Sequence, residues 1–272
     1  MRNKKLPLSI VIPCADDARI GSCLDSIDEN VEIVVVLNGS SSEVRKIVNN
    51  YKVKRVNIRE RNLAKALNIG IEKSIHKKVL LIDSDCKFEK GAIRKLYAGL
   101  QNRYIAKGMI VYECDDFISR VIAKVRDYTN YDTPKPYNPF LGIKKSIKKY
   151  IGNYYFDSDI HWTEDADLNS RLTKADIKVN YVFSAKAFHP PLSLKQDLRS
   201  AFRYGIGKRI RVEKRKSQSV GIHFSKVFAV AFKKGYWAGV YYFVWNCFYL
   251  IGYVYQFIND PYKVRPLIIH QK

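Results

Sequence analysis

Val79-Leu80-Leu81-Ile82-Asp83-Ser84-Asp85-Cys86 is the stretch on which the reading of this chain turns. Four consecutive apolar residues describe a buried strand, and the run stops abruptly at acidic residues. Extended backbone points successive side chains to opposite faces, so Asp83 and Asp85 are expected to project together, with Ser84 opposite. Two carboxylates side by side repel each other, and a hard divalent cation with oxygen ligands relieves that repulsion. Open α/β sheets place their ligands at the carboxyl ends of strands, where these acids stand. Asp-x-Asp alone equally describes a strand leaving through a polar turn, so the surrounding pattern decides.

Working outward, the segments on the amino-terminal side alternate between strand and helix. Leu8 to Pro13 reads as a strand stopped by proline. Residues 16–29 carry Ile20, Leu24 and Ile27 at helical spacing, and Val31 to Leu37 is a second buried strand. Asn38 to Ser42 is a turn that can cap a helix starting near Glu43. Val53 to Ile58 reads as a third strand, and Leu63 to Ile75 as a helix with Leu67, Ile71 and Ile75 on one face. This alternation predicts an α/β fold with a mainly parallel, right-handed sheet of nucleotide-binding type.

On the carboxyl side the pattern loosens. Gly91 to Leu100 predicts a helix, Ala106 to Tyr112 a strand, and residues 115–130 a helix. Thr133 to Pro139 holds three prolines and reads as a loop, while Leu141 to Gly152 is basic and poorly periodic. His161-Trp162-Thr163-Glu164-Asp165-Ala166-Asp167-Leu168 opens a further helix, with Leu168 and Leu172 stacked at i, i+4. Its first-turn acids also suit the helix dipole without any chemistry. Lys178 to Phe183 reads as a strand, and His189-Pro190-Pro191 ends the segment after it.

The 272 residues suffice for one large domain or a domain with an appendage, and 47% hydrophobic content is that of a folded protein. The formal net charge of +22 implies an anionic partner: nucleic acid, an anionic membrane surface or a phosphorylated substrate. Five scattered cysteines without metal-type spacing read as reduced thiols in a cytosolic setting. The basic amino terminus, Met1 to Pro7, runs into an apolar stretch too short for a signal peptide. Lys195 to Lys216 is densely basic. Tyr236 to Ile258 has no formally charged residue across 23 positions and is rich in Tyr and Trp, the composition of a membrane-interface belt. At about 1.5 Å per residue such a helix has the length to cross a hydrocarbon core of about 30 Å. Peripheral, re-entrant and single-span arrangements at the cytoplasmic face of a membrane all remain open. Lys263, Arg265 and Lys272 beyond the stretch favour an interfacial or re-entrant course over a span.

The order of these pieces resembles the family 2 glycosyltransferases with a GT-A fold. The strand ending at Pro13, the strand running into Asn38-Gly39-Ser40 and the helix with Ala64, Ala66, Asn68 and Gly70 come first. Asp83-Ser84-Asp85 follows, then Thr163-Glu164-Asp165-Ala166-Asp167-Leu168 with Arg171-Leu172 behind it, then Phe188-His189-Pro190 and Arg203-Tyr204-Gly205. The resemblance covers roughly residues 8–210 and implies a GT-A catalytic domain over 1–194. Its nucleotide-binding half would span about 1–110 and its acceptor half about 111–194, with 195–272 a basic, aromatic, helical, membrane-associated region. It implies an inverting transferase that moves a sugar from a nucleotide-sugar donor, a UDP-sugar before others, to a glycan or lipid-linked hydroxyl, with Mn²⁺ or Mg²⁺ as cofactor.

The residue roles also come from the resemblance. Asp83 would contact the ribose and the metal-bound diphosphate. Asp85 would ligate the cation, with Asp83 and His189 beside it. Asp165 would deprotonate the acceptor hydroxyl, and Glu164 would position the acceptor or support that base. Trp162 would line the acceptor site, and Pro13, Asn38 and Asn62 the nucleotide site. As a lone histidine, His189 fits a packed structural role as well. Two departures bear on the base: Cys14-Ala15-Asp16 stands where the family often has Thr-Tyr-Asn, and Leu37 where it often has an aspartate.

Three other classes compete. A sugar-1-phosphate nucleotidyltransferase needs a glycine-rich, basic loop after the first strand, which Pro13 to Gly21 is not. A metal-dependent phosphodiesterase or nuclease joins the charge to the carboxylates, but no nucleic-acid-binding module is recognisable, so nucleic acid is not the expected partner. A non-catalytic membrane scaffold leaves Asp83, Asp85, Glu164 and Asp165 without a joint reason.

Overall fold

The computed structural model describes residues 5–132, 135–137, 139–215 and 224–259. The expectations that rest on Met1 to Lys4, on Thr133, Pro134 and Asn138 of the proline loop, on Lys216, and on Lys263, Arg265 and Lys272 lie outside these residues. The chain forms two compact units, Met1–Ser193 and Leu194–Lys272.

In the first unit, β1 (Ser9–Cys14), β2 (Glu32–Asn38), β3 (Lys54–Ile58) and β4 (Lys78–Leu81) alternate with α1 (Ile20–Asp25), α2 (Ser42–Asn49) and α3 (Leu63–Lys73). Then come β5 (Lys87–Phe88), α4 (Ala92–Gly99), β6 (Ile105–Tyr112), α5 (Phe117–Asp127), β7 (Leu141–Lys144), α6 (Glu164–Lys174) and β8 (Asn180–His189). Among the described residues these strands make one sheet in the order β3-β2-β1-β4-β7-β6-β8-β5. The first four are parallel, as the alternation predicts. The sheet as a whole is mixed, because β7 runs antiparallel to both β4 and β6. The basic stretch read as poorly periodic therefore contains a central strand.

Strand alternation divides the core. Ile10, Ile12, Leu80 and Ile82 pack on one face with Ile20, Ile93 and Leu96. Val11, Val34, Val36, Val79 and Leu81 pack on the other with Leu67, Ile71, Leu168 and Leu172. Pro13 does not stop β1, which continues to Cys14. The Val11 carbonyl accepts from the Ile82 amide at 3.2 Å, so Pro13, two residues on, turns its donor-less nitrogen to the same side. There β4 has already ended at Leu81, and no ladder bond is lost.

The Ala-x-Ala-x-Asn-x-Gly pattern has a packing reason. Ala64 and Ala66 are buried, and a Cβ on Gly70 would lie 2.3 Å from Val11 Cγ1, so only glycine lets α3 lie this close to the sheet. Asn68 pairs with the backbone of Phe156, donating to its carbonyl at 2.7 Å and accepting from its amide at 3.0 Å. It binds the later half of the unit to the helix.

The second unit consists of α7 (Leu194–Arg215), α8 (Phe224–Lys234) and α9 (Tyr236–Ile258). A Cβ on Gly205 would lie 1.9 Å from the Tyr249 carbonyl oxygen, and one on Gly252 would lie 1.9 Å from that of Phe202. The two glycines thus let α7 and α9 meet backbone to backbone. Buried Asp197 accepts from the Tyr241 hydroxyl at 2.5 Å between the same helices. No helix of the described residues is long and apolar enough to cross a membrane. This corrects the single-span option: α9 has the length, but six tyrosine hydroxyls, Asn246 and Gln256 lower its hydropathy.

Candidate active site

The acidic turn follows β4 directly. The strand ends at Leu81, and the Cys86 amide closes a turn on the Asp83 carbonyl at 3.2 Å. The two aspartates therefore leave a turn rather than an extended strand, which corrects the expected backbone. The expected alternation of exposure survives: Ile82, Ser84 and Cys86 are buried, while Asp83 and Asp85 are half-buried.

Asp85 has two nitrogen neighbours. Arg19 Nη2 lies 3.3 Å from its Oδ2, and His189 Nε2 lies 3.5 Å from the same oxygen. His189 ends β8, and its Nδ1 is 2.7 Å from the Pro190 carbonyl oxygen. A carbonyl only accepts, so Nδ1 carries a proton. Nε2 thus faces the carboxylate oxygen that Arg19 also reaches, and it is the ring nitrogen left open to a cation there. An imidazole fixed by a backbone carbonyl on its far side is also how metal-binding histidines are held. Asp85 and His189 therefore fit a divalent cation.

Among the described residues, no group of three or more His, Cys, Asp and Glu side chains could hold a metal ion. The expected trio of Asp85, Asp83 and His189 is thus not found as a ligand set of three. Hard cations in nucleotide sites commonly take one or two carboxylates and complete their shell with phosphate oxygens and water.

The second acidic pair opens α6. Trp162, with φ of 61°, is in the left-handed region and stands exposed just before the helix. The three first-turn acids have different fates. Asp167 is buried and pairs with Arg171 at 2.8 Å; that guanidinium also donates to the carbonyls of Ile151, at 2.7 Å, and Tyr154, at 3.1 Å. Asp167 is therefore structural. Asp165 is half-buried, and its Oδ1 accepts from the Ala166 amide at 2.6 Å. Glu164 is buried, and its pKa is pushed up to about 8, by burial first and then by the negative charges of Asp165 and Asp83.

Lys107 is the cation near this cluster. It is a lone charge in the apolar strand β6, buried, and donates to the Pro139 carbonyl at 2.6 Å. Burial lowers its pKa to about 8, against the negative charges of Asp83 and Asp165, which favour the ammonium. The structure thus brings Asp83, Glu164, Asp165 and Lys107 within electrostatic reach of one another. Sequence reading missed Lys107, although a single lysine inside Ile-Ala-Lys-Gly-Met-Ile-Val was a legible signal. It also missed Arg19 and Asp17, which lie in the loop after β1.

The expected nucleotide residues are placed unequally. Asn38 ends β2 and accepts from the Asn62 amide at 3.0 Å. Both ends of the Asn62 side chain are used internally: Oδ1 caps α3 through the Lys65 amide at 2.9 Å, and Nδ2 donates to the Ser158 carbonyl at 2.8 Å. Asn62 therefore holds the framework together. Beyond the carboxyl ends of β2 and β3 lies a cleft of about 510 Å³ lined by Gly39, Ser40, Arg45, Asn57, Ile58 and Arg59. Arg45 donates to Asn57 Oδ1 at 2.6 Å, and the Asn57 amide NH₂ and the arginines are hydrogen-bond donors in this cleft.

Comparison with known proteins bears on the family and the fold. Residues 9–143 match the family model described as glycosyl transferase family 2. No curated protein matches by sequence. Among solved structures, the mannosyltransferase PcManGT from Pyrobaculum calidifontis in complex with GDP-Man and Mn²⁺ aligns with a TM-score of 0.62 at 13% identity, over 95% of this chain and 88% of that one. Glucosyl-3-phosphoglycerate synthase from Mycobacterium tuberculosis in complex with Mn²⁺, uridine diphosphate and phosphoglyceric acid aligns at 0.57 with 16% identity, over 79% and 80%. TarS 1–349 of S. aureus aligns at 0.52 with 15% identity, over 74% and 64%. These likenesses concern the fold.

Proposed function

Through residues 9–143 the chain belongs to glycosyl transferase family 2, and from that premise we propose that it moves a sugar from a nucleotide-sugar donor to a hydroxyl acceptor, with inversion at the anomeric carbon. One observation carries the reading. Asp83, at the exit of β4, and the Glu164–Asp165 pair, at the start of α6, are remote in sequence yet lie close enough for Asp83 to raise the Glu164 pKa. Neither strand-turn chemistry nor helix capping requires that convergence. The chain resembles in fold two enzymes crystallised with Mn²⁺ and a nucleotide or nucleotide sugar, which supports a divalent cation here.

Asp85 and His189 would hold that cation, which supplies Lewis-acid stabilisation to the leaving diphosphate. Asp83 stands beside it for the ribose and diphosphate. At neutral pH Glu164 keeps its proton, which leaves Asp165 as the base of that pair. Asp165 takes the proton of the acceptor hydroxyl as that oxygen attacks the anomeric carbon from the face opposite the diphosphate. Lys107 favours the charged forms of Asp83 and Asp165. Exposed Trp162 offers a flat surface for a sugar ring. In the β2–β3 cleft, the arginines and the Asn57 NH₂ are donors for a base that presents carbonyl oxygens, as uracil and guanine do and adenine does not.

The second unit supports a location at an anionic membrane surface. Val240, Phe243, Ile251, Val254 and Ile258 recur at helical spacing on α9, and all are exposed. Phe228 and Phe232 add to them on α8, at 72% and 93% exposure. Each nearby lysine or arginine adds about 1 kcal/mol of attraction to an anionic leaflet, and the acceptor would then be lipid-linked or membrane-proximal. The test is release of nucleoside diphosphate from UDP- and GDP-sugars with Mn²⁺ or with EDTA, beside a plasmid-cleavage assay. Metal-dependent release without cleavage is expected. Cleavage without release would replace the reading with that of a nuclease.

A further inference from the structure

We propose that Arg19 is a phosphate-binding residue of the donor site, parked on Asp85 until a cation takes that carboxylate and hands the guanidinium to the donor's diphosphate. This rests on the reading of Asp85 as the cation's ligand and adds a residue, and an order of events, that the reading does not contain.

Asp17 grips one side of the Arg19 guanidinium, with Nε to Oδ1 at 2.8 Å and Nη2 to Oδ2 at 2.6 Å. Asp17 Oδ1 also accepts from the Arg19 backbone amide at 3.0 Å, so clamp and arginine share one short turn. That leaves the outer edge, Nη1 and Nη2, for a second anion. Nη2 reaches Asp85 Oδ2 at 3.3 Å, and Nη1 makes no hydrogen bond to any described residue. The side chain is 50% exposed, so a ligand can reach this edge. A guanidinium edge with two parallel donors matches phosphate oxygens bidentately, which a single carboxylate oxygen at 3.3 Å does not use.

Asp85 Oδ2 cannot serve both partners. A divalent cation bound to it sits about 2.0–2.2 Å away, and a guanidinium left at 3.3 Å would face that cation across a few ångströms at like charge. Cation binding therefore costs the Arg19–Asp85 contact. A diphosphate bound to the same cation brings anionic oxygens to the edge just vacated. Arg19 thus opposes the bare cation and favours the cation–diphosphate pair, which makes the two ligands bind cooperatively.

The test measures Mn²⁺ and nucleotide separately on folded protein. Free Mn²⁺ is read by electron paramagnetic resonance, and UDP or GDP binding by calorimetry at saturating Mn²⁺. For Arg19→Ala the expected result has opposite signs: Mn²⁺ alone binds about two- to fivefold more tightly, since an exposed ion pair no longer competes, while nucleoside diphosphate binds about tenfold or more weakly, since a charge-assisted contact is lost. Arg19→Lys keeps the charge without the fork, so Mn²⁺ affinity should stay near that of the wild type while nucleotide binding falls. If wild type binds nucleotide with Mn²⁺ and Arg19→Ala matches it in both measurements, or loses both affinities together, the proposal is overturned and the reading of Asp85 stands. If wild type shows no Mn²⁺-dependent nucleotide binding, the reading itself fails and takes this proposal with it.

Discussion

Glu164 and Lys107 set opposite pH dependences on one fold. Folded Glu164 keeps its proton up to about pH 8, while the unfolded chain loses it near the ordinary value of 4.5. Its contribution to stability is complete below the unfolded pKa and is lost as pH rises through the folded one. Folded Lys107 has its pKa depressed from 10.5 to about 8, so its contribution is present above the unfolded value and is lost as pH falls toward 8. Together they predict a stability minimum near pH 8. Thermal melts by circular dichroism should show the wild type losing stability from pH 5 to 8, Glu164→Gln losing less, and Lys107→Met recovering less above pH 8. An unchanged slope in Glu164→Gln would remove the assignment of a neutral Glu164. For the partner acid, Asp165→Asn should bind donor normally and lose transfer by at least about 10²-fold; a product of retained configuration would contradict single displacement. The sequence offered candidates for these roles: alternation singled out Asp83 and Asp85, while Asp165 was named by the family resemblance. Arg19 and Lys107 matter through contacts across the sheet, Lys107 to Pro139 and Arg19 to Asp85, which no local pattern records.

At the scale of elements, α3 ties the later half of the first unit to the sheet through Asn68 and Asn62. Asn68→Ala leaves the buried amide and carbonyl of Phe156 without their partner, and should destabilise the protein by about 2 kcal/mol or more in urea unfolding. Gly70→Ala pushes a methyl toward Val11 and should cost about 1–3 kcal/mol. Little change in either variant would mean α3 can shift without consequence. The parallel strands β1 to β4 were legible because each is a run of Val, Ile and Leu with a turn behind it. β7 was not: Leu141-Gly142-Ile143-Lys144 is short, holds a glycine and runs into lysines. Its glycine suits the packing, since a Cβ there would lie 2.9 Å from Leu100 Cδ1 and push that side chain aside. The helix expected over residues 16–29 is reduced to α1, because Asp17 turns the chain onto Arg19 before the helix begins. The first of these reasons is tertiary, and composition alone could not supply it.

For the whole molecule, the proposed location at an anionic membrane surface joins the net charge of +22 to the exposed apolar face of α8 and α9. Phe232→Asp combined with Ile251→Asp should abolish flotation with anionic vesicles while leaving the fold intact, because both positions are exposed. The wild type should float with anionic vesicles better than neutral ones, and less at high salt. A wild type that stays unbound in every condition would make the face an internal or protein-contact surface. The central claim is a divalent cation on Asp85 that holds a nucleoside diphosphate, and calorimetric titration of UDP and GDP into wild type and Asp85→Ala, each with Mn²⁺ and with EDTA, tests it most directly. The account predicts binding of at least one nucleotide by wild type only with Mn²⁺, and none by folded Asp85→Ala. Equal Mn²⁺-dependent binding by the two proteins would contradict it.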